Sequence, residues 1–129
     1  IEFYHGYTYS GHPLAAAAGL ATLKVYEEEG LFDNAKTLAP VLEEELQTIK
    51  GSPYVIDIRN YGMLGAIELQ PIDGKPTARA MNVFRECFAK GVLVRTTGDT
   101  IALCPPLIAN EDQVRTVVRT VKESLDLID

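Results

Sequence analysis

Apolar residues recur along this chain at two spacings, and the places where one spacing gives way to the other mark out its elements. From Pro13 the positions Leu14, Ala17, Ala18, Ala21, Leu23 and Val25 follow a helical period up to the acidic run Glu27-Glu28-Glu29. Proline at the first helical position and Gly30 just past the end are the expected punctuation. The alanines Ala15 to Ala18 and Gly19 leave this helix thin on one side, so it is expected to lie buried against a partner element. A second helix is expected from about Asn34 to Lys50, with Leu38, Val41, Leu42, Leu46 and Ile49 in period and Gly51 as its stop. Pro40 removes a backbone donor from that stretch and predicts a bend or a late start.

The period then shortens. Val55-Ile56-Asp57-Ile58-Arg59 alternates, Tyr61-Gly62 turns or bulges, and Leu64 to Leu69 is short and apolar, which predicts two adjacent strands. Pro71 to Pro76 reads as a loop, and Ala78 to Lys90 as a helix stopped by Gly91. Val92 to Arg95 and Ile101 to Cys104 flank Thr96-Thr97-Gly98-Asp99 as a hairpin, and Asn110 caps a last amphipathic helix with Val114, Val117, Val118, Val121 and Leu125. The order predicts an α+β fold: two N-terminal helices, then a small antiparallel or mixed sheet with helices on one face.

With 129 residues the chain is about one domain long. The apolar share of 47% and charged share of 23% are those of a soluble globular protein, and no apolar run reaches the roughly 20 residues a membrane span needs. A net charge of -6 argues against a nucleic-acid partner, which calls for a basic face. Cys87 and Cys104 are too few for a disulfide framework and fit a reducing, cytoplasmic setting; each is expected to be a small buried hydrophobe. The start at Ile1, without Met or a signal-peptide pattern, suggests a piece of a longer polypeptide.

Two places carry chemistry. His5-Gly6-Tyr7-Thr8-Tyr9-Ser10-Gly11-His12-Pro13 is a loop with glycines and hydroxyls just before a helix start, where free N–H groups and the helix dipole hold an anion. On local chemistry alone a helix cap with a tight turn is the commoner use of such a loop. Arg95, beside the Gly98-Asp99 turn, presents a fork that clamps a carboxylate, although a surface ion pair with Asp99 is the plainer reading. His5 and His12 lack acidic neighbours at ligand spacing, so no metal is assigned. Glu43-Glu44-Glu45 reads as the solvated face of the second helix, and Pro105-Pro106 as a rigid corner.

The loop from His5 to Pro13 with its Ala-rich helix resembles the signature of class III, fold-type I aminotransferases. Ile49-Lys50-Gly51, Val55 to Asn60, Gly62, Gly65-Ala66-Ile67, Val94-Arg95 and Gly98-Asp99-Thr100 are similar to the β-alanine (ω-amino acid):pyruvate branch, so the resemblance covers nearly the whole chain. After Thr100, Ile101 to Leu107 departs from that branch towards the wider class. The resemblance implies the C-terminal small domain of an enzyme that uses pyridoxal 5'-phosphate (PLP) and works as a homodimer or tetramer. Residues 1–30 would then pack on the large domain or the dimer interface, and residues 31–129 would form the small α+β domain. It further implies that Tyr7 and Thr8 reach the PLP phosphate of a neighbouring subunit and that Arg95 pairs with the carboxylate of the amino-acid substrate or pyruvate. The Schiff-base lysine, the ring-nitrogen aspartate and the stacking aromatic lie upstream in that family, and none of Lys24, Lys36, Lys50, Lys75, Lys90 or Lys122 matches the lysine. The chain alone is therefore expected to be inactive, with apolar surface left open. The competing reading is a stand-alone, non-catalytic α+β module that binds a ligand or another chain.

Overall fold

The computed structural model describes Phe3 and residues 5–128, so expectations about the start at Ile1, Glu2 and Tyr4 lie outside the described residues. Two compact units are present, Ile1–Phe32 and Asp33–Asp129. In the first, helix α1 spans Pro13–Glu28, with Glu29 at its C-cap and Gly30 in the left-handed region at φ 60°. No residue of α1 is buried. Its alanines and leucines are spread around the helix instead of forming one stripe, the pattern of a helix enclosed on several sides, and among the described residues nothing covers them.

The second unit is built on a sheet. Helix α2 spans Leu31–Gln47, three residues earlier than the periodicity suggested, and runs through Pro40 without a break or a late start. Pro40 and Lys36 are both exposed, so water can bond the Lys36 carbonyl that proline leaves without an N–H. Strands β1 (Val55–Tyr61) and β2 (Leu64–Leu69) form a hairpin whose turn, Gly62-Met63, needs the positive φ of 55° that glycine adopts freely. Helix α3 (Ala78–Ala89), β3 (Arg95–Thr97), β4 (Thr100–Leu103) and α4 (Glu111–Leu125) complete the chain. All strand pairs are antiparallel, in the order β1-β2-β4-β3.

Alternation along β2 and β4 turns Ile67, Leu69, Ile101 and Leu103 to one face, where they meet Leu42, Leu46 and Ile49 of α2, Val83 and Cys87 of α3, and Val114, Val118 and Val121 of α4. Gly65 sits where a Cβ would come within 2.8 Å of Leu46 Cδ1, so a helix side chain occupies the room that a strand side chain would take. Asn110 and Gln113 form a reciprocal capping box at the start of α4, at 2.9 and 3.0 Å. No helix among the described residues is long and apolar enough to cross a membrane.

Three sequence expectations need correction. Val92 to Val94 is not strand, and β3 begins at Arg95. In the β3–β4 register the partners of Val92 and Gly91 would be Pro105 and Pro106, which have no N–H for a ladder. Cys104 is exposed, because it follows Leu103 with the opposite parity. Glu45 is buried, not solvated: it follows Leu38 and Leu42 on the inward face of α2, and its carboxylate is paired with Arg115 and, at 3.6 Å, with Arg119.

Candidate functional site

Register lays a row of side chains across the face of the sheet opposite the core. Arg59 faces Ala66, Ala66 faces Ala102, and Ala102 faces Arg95. The two arginines at the ends of this row are in opposite circumstances. Arg59 donates to Asp57 at 2.6 Å and to Glu68 at 2.7 Å, and these bonds hold its guanidinium above its ordinary pKa. Arg95 is exposed, and its side chain makes no hydrogen bond or ion pair among the described residues. The expected pair with Asp99 does not form, because Asp99 Oδ2 accepts the backbone N–H of Thr77 at 3.0 Å.

Arg95 stands at an open groove of about 1100 Å³ whose walls include Phe84, Leu93, Pro105, Ile108 and Val117. A guanidinium with every N–H open, set among apolar side chains, is chemically suited to a planar carboxylate. Two parallel bonds can form with such a group. Alanines at Ala66 and Ala102 leave the long side chain room across the sheet.

The leading loop turns tightly, with Ser10 N–H donating to the Tyr7 carbonyl at 3.0 Å and Gly11 at φ 73°. It does not cap α1. His12 occupies the N-cap position without a side-chain bond, and the exposed hydroxyls of Thr8 and Ser10 make no hydrogen bond among the described residues. Tyr7 is 67% exposed and meets His5 edge to face at 4.6 Å. No acidic residue lies in the first turn of α1. Unspent donors beside a helix start that bears no negative charge suit a phosphate. Thr8 and Arg95 fall in different compact units, each presenting its own set of donors.

Cys87 is not poised as a nucleophile. Burial pushes the Cys87 thiol up, with a 3.5 Å contact to Ser124 Oγ opposing it. Arg79 escaped the sequence reading. It is buried in the first turn of α3, with Nε donating to the Gln70 carbonyl at 2.8 Å and its guanidinium 3.5 Å over the Tyr54 ring. Its only sequence signal was an arginine at a helix start, where the dipole disfavours a cation.

Known proteins match this geometry and sequence over nearly the full chain. The sequence pattern of the family described as "Aminotransferase class-III" covers residues 2–125. An omega-aminotransferase of Caulobacter vibrioides is 49% identical over 129 residues, all of this chain and 29% of that protein. A beta-alanine–pyruvate aminotransferase of Pseudomonas aeruginosa is 40% identical over 126 residues, 98% of this chain and 28% of its own length. A solved thermostable omega transaminase mutant from Pseudomonas jessenii superimposes with a TM-score of 0.87 at 34% identity, covering 96% of this chain and 29% of that one. The chain thus spans less than a third of the length of the relatives it matches.

Proposed function

The chain belongs to the class III aminotransferases, and from that premise we propose that it is the C-terminal portion of a PLP-dependent transaminase of the cytoplasm. That enzyme moves an amino group from an ω-amino acid such as β-alanine to pyruvate, giving malonate semialdehyde and alanine. The names of the two relatives support the choice of substrates, and the carrying observation is Arg95, an exposed guanidinium without a partner among the described residues, beside an apolar groove.

In this reading Arg95 binds and orients the substrate. Its fork takes the carboxylate of β-alanine or pyruvate through two charge-assisted bonds and so fixes the far end of the molecule. A substrate seated against the apolar walls of the groove would displace water from those bonds and strengthen them. For an amine without a carboxylate, the arm would swing aside. Thr8 and Tyr7 would hold the PLP phosphate of a neighbouring subunit, Thr8 through its hydroxyl and backbone N–H; the open hydroxyl and the absence of acidic side chains in the first turn of α1 fit that task. Bound PLP supplies the electron sink for amino transfer.

The lysine that holds PLP and the aspartate on its ring nitrogen are assigned to the preceding part of the enzyme. The lysines of this chain lie on helices or in loops, and all but Lys122 are exposed. The isolated chain is therefore inactive. An alanine-formation assay with β-alanine, pyruvate and PLP tests the reading: the complete polypeptide forms alanine and residues 1–129 alone form none. Alanine formed by the isolated chain would overturn the assignment. A complete polypeptide that binds small ligands but transfers no amino group would favour a non-catalytic module.

A further inference from the structure

Strand β3 is only three residues long, pairs with β4 alone and forms an edge of the sheet, so little of its own ladder fixes the backbone from which Arg95 extends. The turn at the other end of the hairpin is held much more firmly. The Asp99 carbonyl accepts the N–H of Leu69, the last residue of β2, at 2.8 Å. Its carboxylate Oδ2 accepts the N–H of Thr77 at 3.0 Å, immediately before α3.

Thr77 is in the left-handed region at φ 69°, a costly conformation for a β-branched residue, and its hydroxyl does not cap α3. Asp99 thus serves as the cap of α3 from outside the helix, and Thr77 keeps the strained conformation in which its N–H meets that carboxylate. Two residues on, Arg79 fastens the start of α3 to Gln70 and to the Tyr54 ring, and so to the ends of β1 and β2. One carboxylate oxygen, Asp99 Oδ1, is buried without a bonding partner among the described residues, as is Arg79 Nη1. Solvation energy is given up to keep this carboxylate in place.

We propose that Asp99 is a positioning residue for Arg95: by tying the Gly98-Asp99 turn to β2 and α3, it holds the hairpin at the height and tilt from which the guanidinium meets a substrate carboxylate. This deepens the assignment of Arg95 and rests on it. A firm base beneath a free arm is what a bidentate clamp needs, since small displacements of such a group are felt in binding.

The test uses the complete enzyme with Asp99→Ala, Asp99→Asn and Arg95→Ala, and measures half-reaction kinetics with β-alanine, pyruvate and a simple aliphatic amine. Asp99→Ala raises KM for β-alanine and pyruvate about tenfold, holds kcat within about twofold and leaves the amine untouched. Asp99→Asn keeps an oxygen for the Thr77 N–H but loses the charge; it shows the same split at about two- to threefold, and carries the test should the alanine variant fail to fold. Unchanged KM, or an equal loss with carboxylate and amine donors, overturns the positioning role while Arg95→Ala still discriminates between the donors. If Arg95→Ala does not discriminate either, the reading of Arg95 falls, and the role of Asp99 falls with it.

Discussion

At the scale of the residue, partnership separates side chains that look alike. Arg59 and Arg95 share one row of the sheet, yet one is clamped by two carboxylates and the other has all its donors open. Sequence alone could not tell them apart, because Asp99 stands close to Arg95 in the chain and only the fold turns its carboxylate to Thr77. Thr8 enters as the proposed phosphate ligand through the family resemblance, since its loop context alone favoured a helix cap, and a hydroxyl that makes no hydrogen bond among the described residues supports the proposal. In the complete enzyme, Thr8→Ala should weaken PLP retention about tenfold, the loss of one good hydrogen bond to a charged group, as read from the return of activity on titrating PLP into the apoenzyme. Unchanged retention would remove Thr8 from the phosphate site. The cysteines make a second prediction. A thiol reagent should label exposed Cys104 in the native chain and reach buried Cys87 only in denaturant. Burial favours the neutral thiol of Cys87 in the folded state, so its contribution to stability is intact below the ordinary thiol range and is lost as pH rises through its raised value. Equal labelling of both cysteines in the native chain would contradict this.

At the scale of the element, the helices were readable wherever an apolar stripe and its stops agreed, as in α3 and α4, each carried by a buried stripe. The misplacements have local causes. Solvent around Pro40 lets α2 continue past the proline, and Pro105-Pro106 stand where the partners of Val92 and Gly91 would be, so the ladder cannot run on there. The acidic run Glu43-Glu44-Glu45 masks the period that Glu45 shares with Leu38 and Leu42, which places it on the inward face of α2. The Asn110 capping box gives a direct check: Asn110→Ala should cost about 1 kcal/mol in urea unfolding, the usual value of such a cap. Gly65→Ala should cost about 1–3 kcal/mol, because the new methyl group meets Leu46 Cδ1 and the core must shift. No loss from Gly65→Ala would mean that Leu46 moves aside freely.

At the scale of the whole molecule, the two compact units differ in how they are held. The residues of Asp33–Asp129 enclose a core of their own, whereas α1 buries nothing, with Leu14 76% and Leu20 69% exposed. Exposed apolar side chains of that size are ordinarily covered by a partner. The isolated chain should therefore self-associate as its concentration rises, and Leu20→Glu should reduce this in sedimentation equilibrium; a strictly monomeric wild-type chain would contradict it. Sequence made the α+β class and the family legible because hydrophobic period and motif residues agreed along nearly the whole chain. What it could not convey was which polar groups the fold leaves unspent, and that is where the proposed chemistry lies.

The most direct measurement is the half-reaction of the complete enzyme carrying Arg95→Ala, with β-alanine and a simple amine as alternative donors. A loss of about 2 kcal/mol or more in kcat/KM for β-alanine, with the amine nearly unaffected, is the result expected of a charge-assisted carboxylate clamp. Equal losses with both donors, or none with either, would contradict the role assigned to Arg95.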